Sequence, residues 1–536
     1  VRVLIADPLS DAGIDALAEH HDVHVRTDLD REALLSVVGQ YDAVVVRSGT
    51  RLDAEVIAAG ESLKVIGRAG IGLDNVDVDA ATAHGVVVCN APQSNVISAA
   101  EHTVALLLSL ARAVPRADAS LRRGEWRRKE FEGLELHGKT LGVLGLGRVG
   151  VLVAQRLSAF GMRLIAYDPF VAVERASRIG VELVGSIDEL CQRADVLSVH
   201  LPKTADTLGI VGEQQLRSLK PTGLVVNTAR GGIVDEEALH RALDEGWIAG
   251  AGLDVFTEEP IQQSPLFALD NIVVTPHLGA STTEAQDKAG VMVAEAVNQA
   301  LAGEMVPTAV NLQVGATVPE AVKPFMPLSE ALGQLLGALH SGQAGEVTIE
   351  YVGRVADEDT QALTLGALKG LLTGVVSEPV TFVNAPMLAE ERGLRVRTIT
   401  SSESRDYVSV VRLTAGEAEV AGTLVGRTDR PRLIEVWGFP IEMELRPHML
   451  LLRYADRPGM MGRIGQILGE SGVNIASAQV GRQEQGGEAL IALTVDSPVP
   501  DDVVERLRAS VDGRAGLAVD LPPGLAQPTI SSGTQA

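Results

Sequence analysis

Cysteine is nearly absent from the 536 residues: only Cys89 and Cys191 occur. Two thiols cannot build the multi-bridge framework of a small secreted domain, and they show no zinc-ligand spacing, so no metal site is expected and a reducing compartment fits. Positive charge is also scarce, with 46 Lys and Arg against 70 Asp and Glu, a formal charge of −24. A field of that sign repels nucleic acid and anionic membrane, and an anionic substrate has to be gathered by a local cluster of Arg and Lys. Long uncharged apolar runs are missing as well. The nearest, VALLLSLARAV from Val104, is broken by Arg112 and closed by Pro115, so no membrane span is expected. The N-terminal VRVLIADPLSDAG carries Arg2 and Asp7 instead of a basic stretch followed by a long apolar one, which predicts no signal peptide. These absences together point to a soluble cytoplasmic protein.

What is present is apolar surface. With 46% hydrophobic and 22% charged residues the chain can bury packed cores, and at roughly 100–200 residues per domain it has room for three or four. Up to about residue 310, β-branched runs such as VRVLIAD, DAVVVRS, LKVIGRAG, TLGVLGLG, DVLSVHLP, GLVVNTARG and NIVVTPH alternate with helical stretches. That rhythm predicts α/β architecture with parallel sheets covered on both faces. Ten or more strands are too many for one open sheet, and the set divides at a helix over 98–114. Two doubly wound lobes are therefore expected, 1–97 and 98–281, with a helix in 282–310 returning to the first. From 315 to 445 the segments EVTIEYVG, PVTFVNAP, LRVRTIT, YVSVVRLT, EVAGTLVG and RLIEVWG predict strands in meander-like succession around two helices, an α+β domain. Residues 448–520 read as βαββαβ, and 523–536, rich in Pro, Ser, Gly and Thr, as a disordered tail.

In the second lobe Gly145, Gly147 and Gly150 form a G-x-G-x-x-G between the strand TLGVL and the helix beginning Arg148-Val149. In a chain with 55 glycines such a loop alone is an ordinary turn. Between a strand and a helix it becomes a pyrophosphate cradle, because the helix N-terminus offers free N–H groups and a partial positive charge. The next strand, RLIAYD, ends at Asp168, where a carboxylate accepts hydrogen bonds from ribose hydroxyls and repels a 2′-phosphate. The lobe is accordingly expected to be Rossmann-like and to take NAD rather than NADP.

Three reactive groups follow at successive strand ends: Arg230, Glu259 and His277. Oxidising a secondary alcohol needs a base for the hydroxyl proton, and histidine titrates nearest to working pH. A carboxylate beside it stabilises the imidazolium, and a guanidinium grips a substrate carboxylate at two points and polarises the carbonyl. Spacing alone does not separate Glu259 from Glu258, and each group singly has an ordinary alternative as a cap, an ion pair or a solvated side chain.

GRAGIGLDNVD from Gly67, the glycine loop with YDP, NTARGGIVDEEAL from Asn227, GLDVFTEEP from Gly252 and TPHLGAST from Thr275 together resemble the NAD-dependent D-isomer-specific 2-hydroxyacid dehydrogenases. The resemblance implies that Arg230, Glu259 and His277 are the catalytic set, the Glu before Pro260 being chosen. It also implies NAD contacts at Arg148, Val149, Asp168, Thr228 and Asp254, with His277, Leu278, Gly279 and Ala280 beside the nicotinamide.

Arg47 and Arg68 stand at strand ends of the first lobe, and Arg112, Arg116, Arg122, Arg123, Arg127, Arg128 and Lys129 form a basic run opposed by Asp118 and Glu125. A substrate with a phosphate as well as a carboxylate needs such groups. For the run, a solvated basic face or subunit-contact ion pairs remain open. Residues 448–520 resemble an ACT domain, with Asp456, Pro458 and Gly459 as its loop and GVNIAS over 472–477; Asp456 or Asn474 could bind the ammonium of an amino acid. The whole succession resembles the long branch of the family that oxidises 3-phospho-D-glycerate to 3-phosphohydroxypyruvate at the first step of L-serine biosynthesis. That resemblance implies substrate contacts at Arg47, Ser48 and Arg68, Arg128 reaching the phosphate of a neighbouring subunit, an allosteric substrate-binding type of domain at 315–445, L-serine as effector at ACT interfaces, and a homotetramer. The alternatives are a glycerate or hydroxypyruvate reductase or another D-2-hydroxyacid dehydrogenase, an NAD-sensing co-repressor, and an ACT unit that only joins subunits.

Overall fold

The structure, a computed structural model, describes residues 1–312, 318–340, 345–376, 379–484 and 486–521. The tail expected at 523–536 lies outside the described residues. Strands Arg2–Ile5 (β1), Asp22–Val25 (β2), Ala43–Val46 (β3), Val65–Arg68 (β4) and Val87–Asn90 (β5) form a parallel sheet in the order β2-β1-β3-β4-β5. Val3, Leu4, Ile5, Val44 and Val46 expose nothing, the burial expected of a parallel sheet covered on both faces. Helix Thr283–Leu301 closes one of those faces, with Val293 and Val297 lying over Gly67, where a Cβ would come within 2.7 and 2.8 Å of their methyls. This helix also crosses Asp11–Ala18 where Gly13 meets Gly290; a Cβ on Gly13 would sit 2.8 Å from the Gly290 backbone. Residues 308–311 then run along β5, the Asn90 N–H donating to Thr308 O and the Val88 N–H to Asn311 Oδ1.

The second sheet is Thr140–Leu144 (β6), Arg163–Tyr167 (β7), Glu182–Leu183 (β8), Val196–Val199 (β9), Leu224–Asn227 (β10), Gly250–Leu253 (β11) and Ile272–Val274 (β12), parallel in the order β12-β11-β10-β9-β6-β7-β8. Strand order reverses at β6, so the crevice beyond the carboxyl ends of β6 and β9 is where a dinucleotide sits in this architecture. Helix Val96–Ala111 packs beneath β10 and β11, and Ala113, with a φ of 50°, turns the chain into helix Val114–Arg122, which carries Pro115 in its first turn. No single helix among the described residues is long and apolar enough to cross a membrane.

The third sheet comprises Glu346–Gly353 (β13), Arg395–Ser401 (β14), Ser409–Ala415 (β15), Ala418–Val425 (β16), Arg430–Val436 (β17) and Phe439–Glu444 (β18), ordered β14-β13-β15-β16-β17-β18. Two expectations are corrected here. LRVRTIT is not the next turn of a meander: β14 pairs parallel to β13, because helix Gln361–Leu372 carries the chain back across the sheet. PVTFVNAP is not a strand. Asn384 Oδ1 accepts from the Thr381 N–H at 2.8 Å and its amide donates to Pro379 O, closing a turn that opens helix Ala385–Glu391. Side chain-to-backbone bonds of this kind outcompete a ladder where proline has removed a donor.

Strands His448–Ala455 (β19), Ile475–Arg482 (β20), Glu488–Val495 (β21) and Ala515–Asp520 (β22) make an antiparallel sheet ordered β20-β21-β19-β22, with helices Met460–Glu470 and Asp501–Ser510 on one face. On the other face Met449, Leu451, Leu490 and Ala492 join the core of the preceding domain. Gly13→Leu tests the return of the 283–301 helix. Driving a side chain into the Gly290 backbone should cost about 1–3 kcal/mol, read as a lowered melting temperature.

Candidate active site

Each glycine of the loop after β6 has its own geometric reason. Gly145 has a φ of 93°, and a Cβ there would stand 2.6 Å from His200 O at the end of β9. A Cβ on Gly150 would collide with Gly145 O, which is what lets helix Arg148–Ser158 start so close to the strand. A Cβ on Gly147 would meet nothing within 4 Å among the described residues, so open space lies above the helix N-terminus, the room a pyrophosphate needs. Asp168 ties the loop down: its Oδ2 accepts from the Leu146 N–H at 2.8 Å and its Oδ1 from the Phe170 N–H at 2.9 Å. A carboxylate has about four acceptor positions, so lone pairs remain for ribose hydroxyls. His200 packs under the loop with Nε2 2.7 Å from Ser198 Oγ, and burial pushes it down to about 4, leaving the ring neutral at physiological pH. The residues present therefore fit NAD.

The three candidate reactive groups leave the carboxyl ends of β10, β11 and β12, three adjacent strands. Buried Asn227 shapes the Arg230 turn, accepting from the Ala229 N–H and donating to Arg230 O at 2.9 Å. The following Gly231 lies flat against Phe256, whose N–H donates to Glu259 Oε1 at 2.9 Å. Glu259 Oε2 meets His277 Nδ1 at 2.5 Å. Burial alone would raise the Glu259 carboxyl, but the bonds from His277 and the Phe256 N–H outweigh it and hold it below its ordinary value. It is thus ionised at neutral pH, and Nε2 of His277 is the nitrogen left to act on a proton.

His277 itself has a φ of 56°, a left-handed conformation that a non-glycine residue adopts only when its surroundings impose it. Asp254 imposes it. This carboxylate has no exposed surface; it accepts from the Leu278 and Gly279 N–H groups at 2.7 and 2.8 Å and from Thr275 Oγ1 at 2.6 Å. His102, from helix Val96–Ala111, lies 3.1 Å from the same carboxylate. Burial would raise Asp254, and these partners overcome it and lower it. Asp254, expected as a cofactor contact, holds the loop that carries His277. Thr228 is 8% exposed and bonds Thr103 at 2.6 Å.

From the first lobe, Arg68 enters the same crevice. Burial, and after it the positive charge of Arg230, lower its guanidinium to about 10; Arg47, Asp74 and Asp7 are the other charges acting on it. Buried Asp7 builds the loop that presents Arg47 and exposed Ser48, accepting from the Arg47 and Thr50 N–H groups at 2.6 and 3.0 Å. Sequence reading missed Asp7, Asp74 and His102. Their signal was weak, since each is a common residue whose partner lies tens of positions away.

Other expected residues are not brought together. Arg128 sits on the exposed turn Arg128–Glu130, and among the described residues no contact joins it to Arg47, Arg68 or Arg230. Much of the basic run is engaged with acids, Arg122 with Asp118, Arg123 and Arg127 with Glu125, and Arg116 with Asp270. Asp456 pairs with Arg482 at the end of β20, whereas Asn474 donates to Asp496 at its beginning. A strand of eight residues separates them, roughly 26 Å, so one amino acid cannot touch both in a single chain. Cavities of about 380 and 370 Å³ lie elsewhere, beside helix Ala385–Glu391 and below the opposite ends of β10 and β12.

Comparison with known proteins gives a consistent answer along the chain. Residues 104–279 match the D-isomer specific 2-hydroxyacid dehydrogenase NAD binding domain, 321–437 the D-3-phosphoglycerate dehydrogenase intervening domain, and 448–512 the ACT domain. The D-3-phosphoglycerate dehydrogenase of Mycobacterium tuberculosis is 49% identical over 97% of this chain and 99% of its own length. That of Methanocaldococcus jannaschii is 44% identical over 95% of this chain and 97% of its own. Among solved structures, the TT0316 protein of Thermus thermophilus covers 58% of this chain and 100% of its own at 35% identity and a TM-score of 0.54. D-lactate dehydrogenase from Aquifex aeolicus, complexed with NAD and lactic acid, covers 57% of this chain and 96% of its own at 28% identity and a TM-score of 0.51.

Asp254→Ala should leave two backbone N–H groups and a hydroxyl without acceptors, at a cost of about 2–4 kcal/mol. Calorimetric melting with and without NAD checks this; an unchanged melting temperature would contradict the role given to the carboxylate.

Proposed function

The chain belongs to the D-3-phosphoglycerate dehydrogenase family, and from that premise we propose how its residues carry out the NAD-dependent oxidation of 3-phospho-D-glycerate to 3-phosphohydroxypyruvate, the first step of L-serine biosynthesis. NAD, when bound, supplies the hydride acceptor. His277 takes the C2 hydroxyl proton at Nε2 while Nδ1 stays on Glu259, whose charge stabilises the imidazolium as it forms. Arg230 grips the substrate carboxylate and polarises the C2 oxygen, and Arg47, Ser48 and Arg68 hold the carboxylate and phosphate. The 2.5 Å pair between Glu259 and His277, following β11 and β12 at the same sheet end where Arg230 follows β10, is the observation on which this assignment rests. The gathering of Arg47, Arg68 and Arg230 favours the phosphorylated substrate over an unphosphorylated glycerate or hydroxypyruvate.

L-serine is the effector in this reading, held where ACT units of two copies meet, since Asp456 and Asn474 lie too far apart to serve one ligand within a chain. A homotetramer follows from the same reading, with Arg128 reaching the phosphate site of a neighbouring subunit. Two buried free cysteines support a cytoplasmic setting.

An NADH absorbance assay should show 3-phosphoglycerate strongly preferred over D-glycerate; equal rates would remove the phosphate role of the arginines. Glu259→Gln should lower kcat about 10²-fold, at the low end of general-base contributions. It should also move the acid limb of kcat/KM to lower pH, because a carboxylate ionised across that range no longer favours the imidazolium. An unmoved limb would separate the two residues functionally. Calorimetric titration with L-serine should give heat in the parent and none in Asn474→Ala; no heat in the parent overturns the effector assignment.

A further inference from the structure

Arg230 belongs by sequence to the dinucleotide lobe, yet its charged partner belongs to the other one. Its Nε lies 3.5 Å from Oδ2 of Asp74, in the segment that follows β4, while on its own lobe Nη1 donates to Ala229 O at 2.7 Å. The guanidinium crosses the Cα of Gly72, where a Cβ would stand 2.5 Å from Nη2 of Arg230 and 2.9 Å from Oδ2 of Asp74. Gly70, two residues earlier, makes room in the same way for Arg68, whose Nη1 occupies the space a Cβ would need. The segment 69–76 is thus a socket in which two missing side chains admit two guanidiniums.

Its position is fixed from below. Asn75 donates through Nδ2 to Arg47 O at 2.7 Å and to Thr50 O at 2.6 Å, and its own carbonyl accepts from the Leu52 N–H at 2.8 Å. Asp74 therefore stands at a set place relative to the Arg47 loop. Of the carboxylates that act on Arg68, Asp7 is occupied by the backbone of residues 47 and 50 and the hydroxyl of Thr50. Asp74 is left for Arg230. Among the described residues the Nε of Arg68 is buried without a hydrogen-bond partner, and Arg230 and Asp74 are opposing charges that act on it.

We propose that Asp74 is a positioning residue which, across the interlobe cleft, holds the Arg230 guanidinium over Gly72 in the orientation that meets the substrate carboxylate. The inference rests on the reading of Arg230 as a substrate-binding group. Its signature is a split between kinetic constants. Removing the carboxylate makes the arginine group more positive, so an anion still binds, but the guanidinium is free to swing and polarises the C2 oxygen less well.

Steady-state kinetics of the full chain with 3-phosphoglycerate and NAD test it. Asp74→Asn should lower kcat about 10-fold with KM for the acid unchanged or reduced and the melting temperature unaltered, and Asp74→Glu should restore most of the rate. Gly72→Ala, which displaces the guanidinium without altering charge, should also lower kcat. The proposal falls if Asp74→Asn leaves kcat intact, raises KM in step with the loss of rate, or lowers kcat together with the melting temperature. Arg230→Ala separates the two levels. Parent-like activity in that variant removes the underlying reading, whereas its inactivity alongside an unaffected Asp74→Asn removes only the positioning role.

Discussion

A buried carboxylate holds the histidine loop in a backbone shape that the histidine would not choose. Asp254 satisfies two consecutive N–H groups, the Thr275 hydroxyl and His102, and these bonds offset the left-handed conformation of His277. With the loop so fixed, the imidazole meets Glu259, and Glu259 is itself oriented by the backbone of Phe256. Orientation of the imidazole thus depends on groups packed behind it. Such an arrangement places rigidity below the site and leaves the crevice side of each reactive group open.

Charge is organised by the same economy of place. The protein carries −24 overall, yet Arg47, Arg68 and Arg230 converge between the lobes, with Asp7 and Asp74 as the nearby acids. Like charges approach so closely only where space is made for them, and Gly70 and Gly72 make it. An anionic ligand entering such a group gains attraction that the rest of the surface would oppose. Because Arg230 comes from one lobe and Arg68 from the other, the attraction also depends on how the lobes stand to each other.

Strand rhythm in the first 310 residues, the glycine loop, and the βαββαβ order near the C-terminus were legible because each is a local pattern: buried parallel strands are continuous apolar runs, and a phosphate loop must have its glycines at set spacing. Legibility failed where distant partners decide. PVTFVNAP has strand composition, but Asn384 and Thr381 close it into a turn. LRVRTIT has strand composition and is a strand, though its neighbour is set by a helical crossover. The basic run around Arg122 could be read in one dimension as an anion site or as an ion-paired face, and in three Arg116, Arg122, Arg123 and Arg127 are paired with acids.

By itself the amino-acid order determined which chemistry the chain could carry: an imidazole, a carboxylate and a guanidinium at strand ends, a loop able to admit a dinucleotide, and two further domains of stated type. It could do so because backbone preference and burial periodicity act over a few residues. Only the tertiary structure decided that Glu259 meets His277 through Nδ1, that Asp254 serves the loop from beneath, and that Asp74 reaches Arg230 from the opposite lobe. Those choices are made by side chains 18, 24 and 156 positions apart, and a contact at that separation exists only once parallel sheets have brought their carboxyl ends to one edge.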